Sequence, residues 1–135
     1  MLRVVLLVGL FGAAFSCTCL DETRKEAYCK ASFVGVFTLL NKTVERDDVV
    51  FGAKVVRVFK GSLLRGSVIK LTTPWFSGMC GIPELPLGVD YLLTGRSWRE
   101  EFSTYWCGQI FQGPWKNAPG DVKAALENGG YQPCV

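Results

Sequence analysis

Six cysteines and no histidine constrain this chain more than any other feature of its sequence. They stand at Cys17, Cys19, Cys29, Cys80, Cys107 and Cys134, and what they can form depends on where the chain resides. Arg3 followed by the uncharged apolar run Val4 to Phe15, with small residues at Ala14 and Ser16, has the layout of a secretory signal peptide. Residues 1–16 are therefore expected to be removed, leaving one soluble domain over residues 17–135 that begins at Cys17 and is secreted to the extracellular space. No later stretch is long and apolar enough to cross a membrane. In an oxidising compartment an even number of cysteines in a small chain reads as a disulfide framework supporting a modest core. The rival is a metal site begun by Cys17-x-Cys19. The absence of histidine and the wide scatter of the other four cysteines oppose it. Spacing alone leaves fifteen pairings open.

Charge excludes one class of partner. The net charge is +3, falling to +2 once Arg3 is removed, and the basic residues are not interleaved with aromatics. Nucleic acid is not expected as a partner. Association with extracellular matrix is left open, and a monomer is expected.

Along the chain, residues 21–30 carry helix formers with acids first and bases after, as the helix dipole favours. Residues 31–40 read as a strand, and Asn41-Lys42-Thr43 is an N-glycosylation acceptor placed in an exposed loop that runs on through Asp48. Residues 49–60 form a β-branched run with a bulge or bend expected at Gly52, and residues 67–73 alternate. Residues 74–86 are irregular and hold Cys80. Residues 90–96 and 102–111 read as two more strands, the second bearing Cys107, and residues 119–128 as a helix stopped by Gly129-Gly130. Five strands with a helix near each end fit a small β-barrel with flanking helices, best an OB-type five-stranded barrel; periodicity alone leaves a β-sandwich open.

Little in the sequence supports catalysis. The commonest general base is missing, each cysteine is expected to be oxidised, and Glu100 and Glu101 are neighbours that suit a solvated turn better than an acid/base pair. The chain is not expected to be an enzyme or to carry a cofactor of its own. The new terminus is more informative. A free Cys17 amine and its own carbonyl oxygen can close a five-membered chelate ring on a zinc ion. Bridges at Cys17 and Cys19 would hold that dipeptide rigid and so lower the entropic cost of binding. Equally, a terminal cysteine can do no more than anchor a loose end.

Cys17-Thr18-Cys19 followed by Cys29, then Phe59-Lys60-Gly61, Met79-Cys80-Gly81, Tyr91-Leu92-Leu93-Thr94-Gly95 and Cys134, resembles the inhibitory domain of the tissue inhibitors of metalloproteinases. The resemblance implies a netrin-like OB barrel stapled by Cys17–Cys80, Cys19–Cys107 and Cys29–Cys134. It implies an inhibitory wedge of Cys17, Thr18, Cys19 and Leu20 with Ser77, Gly78 and Met79. The partner would be a zinc metalloproteinase, matrix metalloproteinase or related metzincin. The Cys17 amine and carbonyl would ligate that enzyme's zinc, and Thr18 would enter its S1′ pocket. The chemistry is coherent: a bidentate N,O ligand with bonds of roughly 2.0–2.2 Å displaces the zinc-bound water that attacks the substrate. Leu20-Asp21-Glu22-Thr23-Arg24-Lys25 departs from the Pro- and His-containing stretch usual after this Cys-x-Cys, which bears on target range. The second cysteine-rich domain of the vertebrate inhibitors is not expected, as in short invertebrate-type members. The alternative is a netrin-type extracellular module that binds matrix or a receptor and inhibits nothing.

Overall fold

The computed structural model describes residues 17–135, so the expected signal peptide lies outside the described residues. Helix α1 (Arg24–Lys30) leads into strands β1 (Phe33–Glu45), β2 (Asp48–Lys60), β3 (Val68–Pro74), β4 (Asp90–Trp98) and β5 (Glu101–Ser103); helix α2 (Gly120–Asn128) follows. The strands close in the order β1-β2-β3-β5-β4, every pair antiparallel except β3 with β5. This is the expected five-stranded barrel of OB type with flanking helices, and closure removes the sandwich alternative.

Alternation along the strands builds two cores. Phe33, Phe37 and Leu39 of β1 point into the barrel with Val49, Phe51, Ala53 and Val55 of β2, Leu71 of β3 and Leu93 of β4. The intervening Val34 and Val36, with Leu92, face the other way and bury Ala27 and Tyr28 of α1 and Val122 and Leu126 of α2. Both faces of β1 are thus covered, which explains its nearly unbroken apolar run.

Each helix is fixed at its ends. The Thr23 hydroxyl oxygen accepts from the Glu26 amide at 3.1 Å, an N-cap, and its O–H donates to the Glu26 carboxylate at 3.2 Å. At the far end Lys60 Nζ donates to the carbonyls of Tyr28 and Cys29, at 2.9 and 3.0 Å. Desolvation at this half-buried position, with Arg96 nearby, lowers the Lys60 pKa. Gly129 ends α2 in the left-handed region, at φ 69°.

Three expectations need correcting. Asn41, Lys42 and Thr43 are exposed but lie within β1; the hairpin turn is only Arg46 and Asp47. Continued pairing of β1 with β2 carries this ribbon past the barrel even though its side chains are polar. Gly52 is not the bulged residue. The register skips Leu40 on β1, and Gly52 sits opposite Asn41, whose side-chain oxygen accepts from the Gly52 amide at 3.1 Å. Finally, β5 stops at Ser103, so Cys107 lies on a loop and not on a strand. The parallel pairing with β3 takes only Leu71–Phe102 and Thr72–Ser103. Beyond it Thr94, Thr104 and Gln109 bond one another, and Gly108 turns the chain at φ 83°.

Candidate functional site

The segment that precedes α1 has no regular structure and is tethered at alternate residues. Cys17 is bridged to Cys80 with Cα atoms 5.0 Å apart, and Cys19 to Cys107 at 5.4 Å. The third bridge, Cys29–Cys134, ties α1 to the irregular end of the described chain. The two loops that receive the segment are themselves joined, since the Trp106 amide donates to the Cys80 carbonyl at 2.7 Å.

Local sequence sets the Cys80 loop. Ser77–Met79 make one 3-10 turn, closed by the Met79 amide on the Phe76 carbonyl at 3.0 Å. Cys80 then takes a left-handed conformation at φ 63°, which costs a non-glycine residue roughly 1–2 kcal/mol. At Gly81 a Cβ would collide with the Pro74 carbonyl, so only glycine lets the loop return against the end of β3. The Thr73 hydroxyl accepts from the Ile82 amide at 2.9 Å and fixes that return. The turn containing Gly78 and Met79 is thereby held beside Cys17.

These tethers bring Cys17, Thr18, Cys19 and Leu20 to the same edge of the barrel as Ser77, Gly78 and Met79. Thr18 is exposed between its bridged neighbours, Leu20 is 88% exposed and Met79 59% exposed. Leu20 and Met79 are thus apolar side chains left uncovered near the two covalent tethers.

A sequence model of the UNC-6/NTR/C345C module matches residues 26–109. The chain belongs to that family. No curated protein matches it. The matched span runs from α1 through all five strands and includes the anchor cysteines Cys80 and Cys107; the tethered segment Cys17–Leu20 precedes it. NTR modules occur in extracellular proteins, and no helix among the described residues is long and apolar enough to cross a membrane.

On this NTR module the edge is wider than sequence reasoning foresaw. Trp75 and Phe76 are about half exposed, with rings 6.2 Å apart, and Trp106 is 44% exposed. With Cys17, Leu85 and Tyr91 they line an open groove of ≈ 710 Å³. The aromatic pair beside Pro74 and the tryptophan beside Cys107 were the only signals in the sequence. Read without the fold, each looks like a core residue.

Behind the tethered segment, Glu22 is held by Lys30 at 2.9 Å and is mostly covered. Its hydrogen bond and charge raise the Lys30 pKa. The contact fastens Glu22, within the Leu20–Lys25 departure, to the end of α1. The Sγ atoms of Cys17, Cys19 and Cys107 lie within 4.8 Å of one another, but all three are oxidised and offer no thiolate to a metal. Glu100 sits in the β4–β5 turn and Glu101 opens β5, both exposed.

Proposed function

We propose that this NTR module is a secreted inhibitor of zinc metalloendopeptidases, of the matrix metalloproteinase or related metzincin class. The supporting observation is the Cys17–Cys80 bridge, which holds the first residues of the expected mature chain beside the Ser77–Met79 turn at an exposed edge. Cleavage after Ser16 would free the Cys17 amine. That amine and the Cys17 carbonyl then take the zinc position that the enzyme reserves for water, and the nucleophile of hydrolysis is displaced. Thr18 enters the S1′ pocket, while Leu20, Gly78 and Met79 pack along the cleft to either side. The zinc belongs to the enzyme. Only the neutral amine has a lone pair to give; with a reference pKa of about 7.7–8.0, inhibition weakens as pH falls through neutrality.

The test adds one alanine ahead of Cys17, or acetylates the α-amine. Either change turns the amine into an amide while leaving barrel and bridges alone. Inhibition should be abolished with circular dichroism and thermal stability unchanged. An extended protein that inhibits at the parent's concentration would rule out chelation.

Modules of this family also occur in netrins, and one observation favours a binding role. Trp98 is 72% exposed at the β4–β5 tip, where Arg99 stacks over its ring and both Arg99 and Glu100 adopt positive φ. On that reading Trp98→Ala, and not N-terminal extension, would remove the partner.

A further inference from the structure

We infer that the two bridges of the tethered edge form one exchangeable sulfur cluster, in which a small thiol re-pairs Cys17 with Cys107 and Cys19 with Cys80. The Cys17 Sγ lies 3.3 Å from the Cys107 Sγ, although the two belong to different bridges. The Cys107 Sγ is also 4.0 Å from that of Cys80. A thiolate released at Cys107 already lies against the Cys17–Cys80 disulfide. Exchange that ordinarily waits on diffusion becomes intramolecular. The new pairing exchanges near neighbours on both sides. Cys17 and Cys19 flank a single residue, and the loops of Cys80 and Cys107 are joined by the hydrogen bond from Trp106.

Exposure sets the entry point, because Cys19 is exposed whereas Cys17, Cys80 and Cys107 are half-buried. A small thiolate of the glutathione type attacks the Cys19 Sγ. The Cys19–Cys107 bond breaks, and Cys107 leaves as a thiolate beside Cys17. Cys107 attacks the Cys17 Sγ, forming Cys17–Cys107 and expelling the Cys80 thiolate. Cys80 then attacks the Cys19 Sγ of the mixed disulfide, forming Cys19–Cys80 and returning the small thiolate. Nothing is oxidised or reduced overall, so the thiol acts catalytically. The product no longer ties Cys17 to the Ser77–Met79 turn. The exchange does not rest on the inhibitor reading; if that reading holds, re-pairing switches inhibition off. Cys29–Cys134 is outside the cluster, its Cys29 Sγ facing the Tyr131 carbonyl at 3.7 Å, and serves as an internal control.

The experiment treats the oxidised protein with reduced glutathione at about pH 8, close to the ordinary thiol pKa, then quenches with acid and alkylates. Tandem mass spectrometry that breaks the peptide bonds on both sides of Thr18 assigns the partners of Cys17 and Cys19. Because Cys134 is exposed like Cys19, glutathione can open either bridge; the distinguishing result is that re-paired, unalkylated Cys17–Cys107 and Cys19–Cys80 accumulate, whereas any opened Cys29–Cys134 is recovered as a glutathione adduct with its other thiol alkylated. Glutathione retained on Cys19 with Cys107 alkylated and Cys17–Cys80 intact would overturn the proposal. Cys80→Ser tests the Cys17–Cys107 approach by itself: the odd thiol left on Cys17 can attack the Cys107 Sγ and expel the Cys19 thiolate. Alkylation at Cys19 with Cys17 bound to Cys107 supports the relay; label confined to Cys17 refutes it.

Discussion

Threonines in this molecule separate by what their hydroxyls do. Thr73, Thr94 and Thr104 are buried and each is satisfied: Thr73 accepts from the Ile82 amide, Thr94 donates to the Gly108 carbonyl at 2.6 Å, and Thr104 donates to the Thr94 carbonyl at 2.8 Å. Thr23 caps α1. Thr18 is exposed between two bridged cysteines, a position where a methyl and a hydroxyl are available to a partner. Thr18→Gly removes those atoms and keeps the backbone groups on either side. Inhibition of every susceptible metalloendopeptidase should weaken by about 1–3 kcal/mol, the usual scale for a lost contact in a pocket, with no change in thermal midpoint. Inhibition constants measured across several enzymes decide it, and equal values for both proteins would mean that Thr18 enters no pocket. Thr18 was legible from its place in Cys17-Thr18-Cys19. Trp75, Phe76 and Trp106 were not, because only the folded loops decide whether an aromatic residue faces the core or the solvent.

At the scale of elements, the strands that feed the cores were the legible ones, β3 among them through its alternation. β1 up to Leu40, β2 and β4 announce themselves through β-branched and aromatic runs. The polar half of the β1–β2 hairpin did not, since Asn41 to Glu45 are exposed and have the composition of a loop; backbone pairing with β2 alone keeps them extended. The overlong expectation for β5 failed for the opposite reason. Residues beyond Ser103 carry aromatic side chains that suit a strand, but their backbone bonds serve the loop under the tethered edge. The hairpin carries its own test. Asn41 belongs to the glycosylation acceptor and also bonds the Gly52 amide opposite the Leu40 bulge. Thr43→Ala removes the acceptor while keeping that bond; any glycan should disappear with secretion, stability and inhibition intact. Asn41→Gln removes both, and should lose about 0.5–1.5 kcal/mol of stability, the net worth of one hydrogen bond. Mass spectrometry and denaturant titration read the pair of variants, and failure of Thr43→Ala to be secreted would give the hairpin a folding role that its exposed position does not suggest.

For the whole molecule, the three bridges close loops of very different length yet similar weight. Their sequence separations are 63, 88 and 105 residues. Because loop entropy grows only with the logarithm of length, the shortest and longest should differ by only about 0.5 kcal/mol. Removing either pair is expected to cost about 2–5 kcal/mol of fold stability. Their functional consequences should be unlike. Cys29–Cys134 fastens α1 to the end of the described chain, behind the barrel wall that α1 and α2 cover. Replacing Cys29 and Cys134 by alanine should lower the denaturant midpoint yet leave the inhibition constant of the folded fraction unchanged. Replacing Cys17 and Cys80 by alanine should lower the midpoint by a similar amount and weaken inhibition sharply. The α-amine and carbonyl of residue 17 survive that substitution, so the atoms proposed to bind the enzyme's zinc are still present. What is lost is the tether that holds them beside the Ser77–Met79 turn. Fixing a free backbone costs roughly 1–2 kcal/mol per residue, and at least two residues ahead of Cys19 would have to be ordered on binding. Inhibition should therefore fall by about 2 kcal/mol or more, roughly 30-fold. Denaturation and inhibition measured on both double variants separate the two effects. Equal loss of inhibition from both pairs, scaling with stability alone, would show that the Cys17–Cys80 tether contributes to the fold and nothing further to binding.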